Sequence, residues 1–198
     1  MIDRFRYLFG VWNVIILPVG LLFWFVIHLW APSWRRIGSI TYLIVLPPLV
    51  ALGAVLFRFR TWILGADLGM SRILISIAVI LYAVMGWLEI KTWRHLNISI
   101  AAGIPEVSRH TERKGKLLRD GSYRIVRHPR YLSAGIGVIA NSFIINHVGM
   151  YVMILLVYPA GFVMLMFEER ELVDRFGEEY RQYQREVPKI IPRVGKAK

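Results

Sequence analysis

Long apolar runs dominate the chain, and their lengths predict membrane-spanning helices rather than the core of a soluble domain. A helix needs about 20 mostly apolar residues to cross a bilayer. Three runs are close to that length: Val11–Trp30, Ser39–Phe57 and Met70–Trp93. A fourth apolar region, Tyr131–Phe167, is too long for one helix and is interrupted by the turn-forming residues Asn146–Gly149. The pattern therefore predicts an all-α, polytopic membrane bundle with about five transmembrane helices.

The tail that follows the fifth span is predicted to be an amphipathic, cytosolic helical segment. Its apolar residues recur at spacings of four, four, three and four, which places them on one helical face. They are Leu172, Phe176, Tyr180, Tyr183 and Val187. Gly177 is expected to divide the tail into two helices, which lie on the membrane surface or fold beneath the spans.

We interpret the chain as one membrane domain with four parts. Residues 1–93 supply three N-terminal spans and residues 94–130 a cytosolic loop. Residues 131–167 form a helical hairpin, and residues 168–198 form the amphipathic tail.

Basic residues are distributed unevenly, and this asymmetry predicts the orientation of the chain. The sequence has 25 Lys and Arg against 13 Asp and Glu, for a net charge of +12. In a five-span topology, twenty of the 25 bases fall on the side of the 94–130 loop and the tail. The positive-inside rule then places the C-terminus in the cytosol and the N-terminus outside.

The same charge limits the partners that we expect. Bases in loops between apolar runs suit anionic lipid head groups, and the sequence contains no nucleic-acid-binding motif. The absence of cysteine excludes disulfides, a cysteine nucleophile and thiolate metal sites. The histidines lack metal-ligand spacing, and no metal is predicted. The oligomeric state is not predicted.

Two polar clusters flank the hairpin and are the candidates for chemistry. The first is the segment Gly121–Tyr131, which runs into the fourth span, and the second is the pair Glu168 and Glu169 at the end of the fifth. An antiparallel hairpin would bring both clusters to the same membrane surface.

The charges of these clusters suit a zwitterionic ligand that also carries a cation. Pro129 is expected to be the first residue of a helix, where its missing N–H is not needed. The free N–H groups after it, reinforced by Arg127 and Arg130, would attract an anionic group. The glutamate pair supplies the opposite sign nearby.

Both clusters resemble signatures of the isoprenylcysteine carboxyl methyltransferase family, which also includes phospholipid N-methyltransferases. Gly121–Tyr131 is similar to the family motif G-P-Y-x-x-x-R-H-P-x-Y, with Ser122 where the family usually has proline. The chain from Glu168 onwards is similar to the family ending E-E-x-x-L-x-x-x-F-G-x-x-Y-x-x-Y. The resemblance extends from about Leu117 to Arg193.

The resemblance implies that the two clusters enclose S-adenosylmethionine. His128, Pro129 and Tyr131 would hold its amino-acid end, and Tyr123 of the same motif is also expected to bind the cofactor. Glu168 and Glu169 would bind its amine or its ribose hydroxyls. Gly135 and Gly137 match a G-x-G that phospholipid methyltransferases carry after this motif, where missing side chains let the cofactor approach closely.

The function implied is transfer of a methyl group to a lipophilic acceptor that enters from the bilayer. The acceptor would be an isoprenylcysteine-like carboxylate or a lipid amine, and a thiol or another lipid also fits an entrance from the bilayer. Arg127 or a glutamate could assist the removal of a proton from an amine or a thiol. The alternatives are an NADPH-dependent reductase of the sterol reductase type, which has a similar R-H-P-x-Y stretch, and a non-catalytic membrane protein.

Several residues also have a purely structural interpretation. His128 could be an ordinary helix cap, the two glutamates a solvated helix segment, and the glycines Gly135 and Gly137 a surface for close helix packing. The polar residues within spans, His28, Asn13 and Asn141, are expected to form hydrogen bonds between helices.

Overall fold

The computed structural model describes residues 1–94 and 117–193. Most of the predicted 94–130 loop therefore lies outside the described residues. The same holds for four of its bases that we expect to contact anionic lipid: Arg109, Arg113, Lys114 and Lys116.

The described residues form an all-α membrane bundle, which confirms the predicted fold class. The first half of the chain contains α1 Ile2–Leu29, α2 Ala31–Ile37, α3 Ile40–Arg58, α4 Arg60–Leu64 and α5 Arg72–Trp93. The second half contains a 3-10 turn at Gly121–Arg124, followed by α6 Pro129–Ile145, α7 Val148–Phe176 and α8 Glu178–Glu186.

Among the described residues, α1, α3, α5 and α7 are long and apolar enough to cross a membrane. The predicted fourth span, α6, has 17 residues and is shorter than these four. It nevertheless runs between the same two ends of the bundle as its neighbours. We call these the turn end, formed by residues 1–7, 59–71 and 145–149, and the motif end, formed by residues 88–94, 121–133 and 165–189.

Helix α1 lies at the centre of the bundle and packs against α3, α4, α6 and α7. Helix α5 packs mainly against α6, and the two run antiparallel. Contacts between them recur at each turn, through the pairs Tyr82 and Asn141, Met85 and Gly137, Glu89 and Ser133.

The polar residues within the spans bond to neighbouring helices. Asn141 of α6 donates to Asn13 of α1, with 2.6 Å from Asn141 Nδ2 to Asn13 Oδ1. The predicted hydrogen bonds between helices are thus confirmed for both asparagines, and His28 lies 3.3 Å from Glu171 of α7.

The first helix begins at Ile2, nine residues before the predicted start at Val11. Arg6, which precedes the predicted start of the span, is buried in the turn end. Its guanidinium forms an ion pair with Asp67 at 2.5 Å and donates to the Ile145 carbonyl at 2.8 Å. Burial opposes ionisation of Asp67, yet hydrogen bonds from Arg6 and the Gly69 N–H, with the charge of His147, lower its pKa overall. Helix α1 therefore extends far enough to include Arg6, whose side chain joins the segments of the turn end.

The amphipathic tail folds beneath the spans. Gly177 has a φ of +63°, and it separates α7 from α8 as predicted. The buried residues Tyr180, Tyr183 and Val187 pack with Leu117, and three partly buried side chains join them: Leu172, Val173 and Phe176. The face predicted from the sequence is therefore covered by the chain that leads into the motif.

The close approach of α7 to α4 at the turn end yields a test of the packing. A Cβ added to Gly149 would lie 1.9 Å from the Ile63 carbonyl oxygen, whereas one added to Gly161 would meet nothing within 4 Å. We expect Gly149→Ala to destabilise the protein by about 2 kcal/mol or more because backbone must move. Gly161→Ala, in the same helix, is the matched control and should have the melting temperature of the wild type. Thermal melting in detergent measures both, and equal melting temperatures would contradict this packing.

Candidate active site

The first motif is anchored to α5 through Ser122, the residue that stands in place of the family's proline. The segment turns at Gly121, whose φ is +64°, and Ser122 is fully buried. The Ser122 and Thr92 hydroxyl oxygens lie 2.8 Å apart. A hydrogen bond to a neighbouring span thus holds the turn where proline would have stiffened it.

His128 precedes α6, and Pro129 is the first residue of that helix, as predicted. The His128 side chain makes no capping hydrogen bond and instead lies among the glutamates of α7. Its Nε2 is 3.1 Å from Glu169 Oε1, and its Nδ1 is 3.8 Å from Glu168 Oε1. The hairpin therefore brings the two motif clusters into contact.

Glu169 is the most heavily bonded residue of this cluster. Arg127 donates to Glu169 Oε1 from Nε at 2.8 Å and from its terminal nitrogen at 2.6 Å. Lys189 Nζ lies 3.1 Å from the other carboxylate oxygen. Glu169 and Arg127 are both buried, so each charge is compensated inside the fold rather than by water.

Arg127 also fixes the end of the tail. The second terminal nitrogen of its guanidinium donates to the carbonyls of Gln184, at 3.1 Å, and Val187. The backbone N–H groups of Arg127 and His128 donate to the carbonyls of Pro188 and Lys189, at 2.9 and 3.1 Å. These bonds give Arg127 a structural function, and its part in proton transfer stays a prediction.

Two buried tyrosines of α8 complete the enclosed part of the site. The Tyr180 hydroxyl lies 3.4 Å from both Glu169 Oε1 and His128 Nε2. The Tyr183 hydroxyl donates to the Tyr123 carbonyl at 2.5 Å. Burial raises the pKa of the Tyr180 and Tyr183 phenols, which therefore remain neutral hydrogen-bond donors at physiological pH.

The open part of the site lies beside Glu168, whose side chain is 26% exposed. The Tyr131 ring meets the His128 ring edge to face, with 5.7 Å between centroids. Gly135 lies one turn further along α6, and its carbonyl accepts a hydrogen bond from Tyr158 of α7 at 2.7 Å. These residues form the face of the α6–α7 hairpin that a ligand could reach.

The two glycines of the predicted G-x-G face different neighbours. A Cβ on Gly135 would lie 3.4 Å from the Tyr158 hydroxyl, on the α7 side. A Cβ on Gly137 would lie 2.9 Å from the Met85 sulfur, on the α5 side. Both glycines therefore lie in contacts between helices, Gly135 against α7 and Gly137 against α5. Cofactor binding by either glycine stays a prediction.

Sequence reasoning missed Glu89, which lies at the motif end of α5. Burial raises the pKa of the Tyr123 phenol to about 12; Arg130 opposes this shift, and the charges of Glu168 and Glu89 add to it. The charge of Glu89 thus acts on a residue of the first motif. A carboxylate inside an otherwise apolar run was the signal that could have identified it.

Comparisons with known proteins show the family to which the chain belongs. The sequence profile of the phospholipid methyltransferase family matches residues 73–179, more than half of the chain. Methanethiol S-methyltransferase 1 of Bradyrhizobium diazoefficiens is 37% identical over 70 residues, which are 35% of this chain and 24% of that protein. Protein-S-isoprenylcysteine O-methyltransferase of Schizosaccharomyces pombe is 33% identical over 79 residues, 39% of this chain and 34% of that protein.

The matched stretch thus spans about a quarter and a third of the lengths of these two relatives. No solved structure matches the chain.

The buried ion pair predicts how the tail responds to substitution. Glu169→Gln would leave the buried Arg127 guanidinium without its counter-charge, and we expect a loss of about 3 kcal/mol of stability. Glu186→Gln is the matched control, because Glu186 pairs with Arg119 at the surface, with 49% and 35% of their side chains exposed. Exposed pairs contribute less than about 1 kcal/mol.

Thermal melting in detergent, with limited proteolysis of the segment after Val187, measures the difference. Equal melting temperatures and equal cleavage in the two variants would show that the buried pair does not hold the tail.

Proposed function

Because the chain belongs to the phospholipid methyltransferase family, we propose that it is an integral membrane enzyme that transfers a methyl group from S-adenosylmethionine to a lipophilic acceptor. The observation that carries this proposal is the contact between the two motif clusters, with His128 Nδ1 3.8 Å from Glu168 Oε1 beside an accessible face. The profile of the family covers both clusters.

The residues at this face suit the polar groups of S-adenosylmethionine. The partly exposed Glu168 carboxylate can accept hydrogen bonds from an amine or from ribose hydroxyls. The guanidinium of Arg130, next to Pro129, can pair with a carboxylate. Glu168 and Arg130 thus form a donor set that fits the oppositely charged groups of the cofactor.

When bound, the sulfonium of S-adenosylmethionine supplies a methyl group that is already activated for transfer. The task of the protein is to orient the two reactants and to exclude water. Tyr131 and His128 would form one wall of the site, and Glu168 the other. Glu169 and Arg127 keep His128 in place from behind, because both are bonded to each other and to the tail.

The membrane location explains why such an enzyme would use two entrances. A water-soluble donor would enter at the motif end, which the charge asymmetry predicts to face the cytosol. A lipophilic acceptor would enter between helices from the bilayer. By name, one relative acts on an isoprenylcysteine and the other on methanethiol, so acceptors of different chemistry fit this family.

Ligand titration tests the proposal directly. We expect purified wild-type protein to bind S-adenosylmethionine and its demethylated product saturably, and not NADPH. His128→Ala and Glu168→Gln should weaken this binding by about tenfold to a hundredfold, since each removes a hydrogen bond that involves a charged group. Glu178→Gln is the matched control, because that glutamate pairs with Arg185 on the exposed face of α8.

Each alternative result of this titration would indicate a different class of protein or a different site. Binding of NADPH alone would indicate a reductase, and binding of neither ligand would indicate a non-catalytic protein. Unchanged affinity in both His128→Ala and Glu168→Gln would place the cofactor elsewhere.

The proposed orientation has its own test, since the chain contains no cysteine and single cysteines can be introduced. Leu68 is exposed at the turn end, and Glu179 is exposed on α8 at the motif end. We expect a membrane-impermeant maleimide to label Leu68→Cys in intact cells and Glu179→Cys only after permeabilisation. The reverse pattern would place the motif end outside.

A further inference from the structure

A groove lies between α1, α2 and α3, outside the candidate active site. It has a volume of about 440 Å³ and is lined by nine residues, which is within the size range of a site for one small ligand. Eight of these residues are apolar, and the ninth is Ser33 of α2. Ile44 of α3, which lines the groove, is 50% exposed, so the groove is open to the surroundings of the bundle.

The groove has about the depth of one leaflet of a bilayer. Along α1 it extends from Leu22 to Trp30, and eight residues of a helix span about 12 Å. Half of the hydrocarbon core of a bilayer is about 15 Å thick. Trp30 is the residue at which α1 ends, and indole rings at the ends of spans mark the head-group layer. The groove therefore runs from this layer towards the centre of the bilayer, which is the direction of a lipid acyl chain.

Helix α1 separates the groove from the candidate site. Leu22, Val26 and Trp30 line the groove and recur every four residues, so they share one face of α1. A different face of α1 contacts α7 at the motif end, where the rings of Phe25 and Phe167 meet with 5.9 Å between centroids. A ligand in the groove is thus divided from the α6–α7 hairpin by a helix.

The mouth of the groove, which is its end in the head-group layer, carries positive charge. Arg36 follows Ser33 by three residues, so the two lie on the same side of α2, and Arg36 is exposed. Within residues 1–94 and 117–193, no carboxylate forms an ion pair with Arg36. The nearest acidic residues along the chain are Asp3 and Asp67, which lie at the turn end. An apolar groove beside an unmatched cation is complementary to a ligand with an anionic head and an apolar chain.

Two indole rings fix the shape of this mouth. Trp34 Nε1 donates to the Val26 carbonyl of α1 at 2.9 Å. The Trp34 and Trp30 rings meet edge to face, with 6.5 Å between centroids. These contacts join α2 to α1, and a preformed site loses less conformational freedom when it binds a ligand.

We propose that this groove binds one anionic phospholipid, with an acyl chain between α1 and α3 and the phosphate at Arg36. The bilayer interior is as apolar as the groove, so the chain alone provides little preference for the site. The preference comes from the head group, because a phosphate accepts charge-assisted hydrogen bonds from a guanidinium and can accept one from the Ser33 hydroxyl. One lipid per chain at a fixed place goes beyond the general attraction of loop bases to anionic lipid, and it does not depend on the proposed function.

Native mass spectrometry of the full chain, freed of lipid in detergent, counts the bound lipids and measures their affinities. The probes are dioleoylphosphatidylglycerol and dioleoylphosphatidylcholine, which has the same chains but no net charge. We expect the wild type to bind one phosphatidylglycerol about fivefold more tightly than phosphatidylcholine, the effect of one base in the head-group layer. Arg36→Gln should remove this preference. Arg58→Gln is the matched control, because it removes the same charge at the other end of α3 and should keep the preference.

A second pair of variants tests the place of the acyl chain. Ile44→Trp puts a larger ring into the groove from an exposed position, and it should weaken the binding of both lipids by about tenfold. Leu43→Trp is the matched control, because Leu43 is 74% exposed and is not among the residues that line the groove. The melting temperatures of the lipid-free variants show that both are folded.

Any of three results would overturn the inference. Equal affinity of the wild type for the two lipids would show that the head group is not recognised. An equal loss of phosphatidylglycerol binding in Arg36→Gln and Arg58→Gln would reduce the effect to net charge. Binding to Ile44→Trp that matches the binding to Leu43→Trp would show that the chain does not lie between α1 and α3.

Discussion

The carboxylate of Glu169 can be buried at the motif end only because cations from two other segments surround it. Arg127 comes from the motif that precedes α6, and Lys189 comes from the end of the tail. A buried pair of this kind contributes little net stability, because the desolvation of both charges offsets their attraction, but it strongly disfavours arrangements in which one charge lacks its partner. The contacts therefore specify a single position of the tail relative to the hairpin, and the shape of the site depends on that position.

This constraint separates the functions of two adjacent glutamates. Consecutive residues of a helix point about 100° apart, so Glu168 and Glu169 cannot face the same partner equally. Glu169 faces the tail and is enclosed, while Glu168 retains exposure next to His128. The sequence shows only a pair of acids. In the structure, Glu169 anchors the tail to the hairpin, and Glu168 stays available to a ligand.

The parts of the fold that depend on local pattern were predictable. The lengths of the apolar runs, the turn at Asn146 and the spacing from Leu172 to Val187 each determine one element or one face. Contacts between distant segments were not predictable in the same way. The bonds from Arg127 to residues 169, 184 and 187, and the pairing of Arg6 with Asp67, arise only when segments distant in the sequence have packed together.

In the candidate site, too, local pattern predicts some features and contacts between distant segments determine others. That the two motifs meet follows from the hairpin, and the comparison with known families confirms the resemblance on which the site was identified. The direction in which each side chain points does not follow from the hairpin. The notation G-x-G hides that Gly135 and Gly137 are two positions apart on a helix and so face α7 and α5 separately. Glu89 was missed for a related reason: its distance from the motif in sequence, more than 30 residues, conceals their proximity across the α5–α6 seam.

The two ends of the bundle differ in a way that suits an enzyme with a soluble and a lipophilic reactant. At the turn end, Arg6 donates hydrogen bonds to carbonyls of a neighbouring segment. The contact of Gly149 with Ile63 leaves no space between α4 and α7. At the motif end, the tail covers one side, and the other side keeps partly exposed polar groups on three helices. For the proposed function, a soluble reactant would approach this side from water and a lipophilic one from lipid, while the residues proposed to bind them lie on helices that contact one another at the motif end.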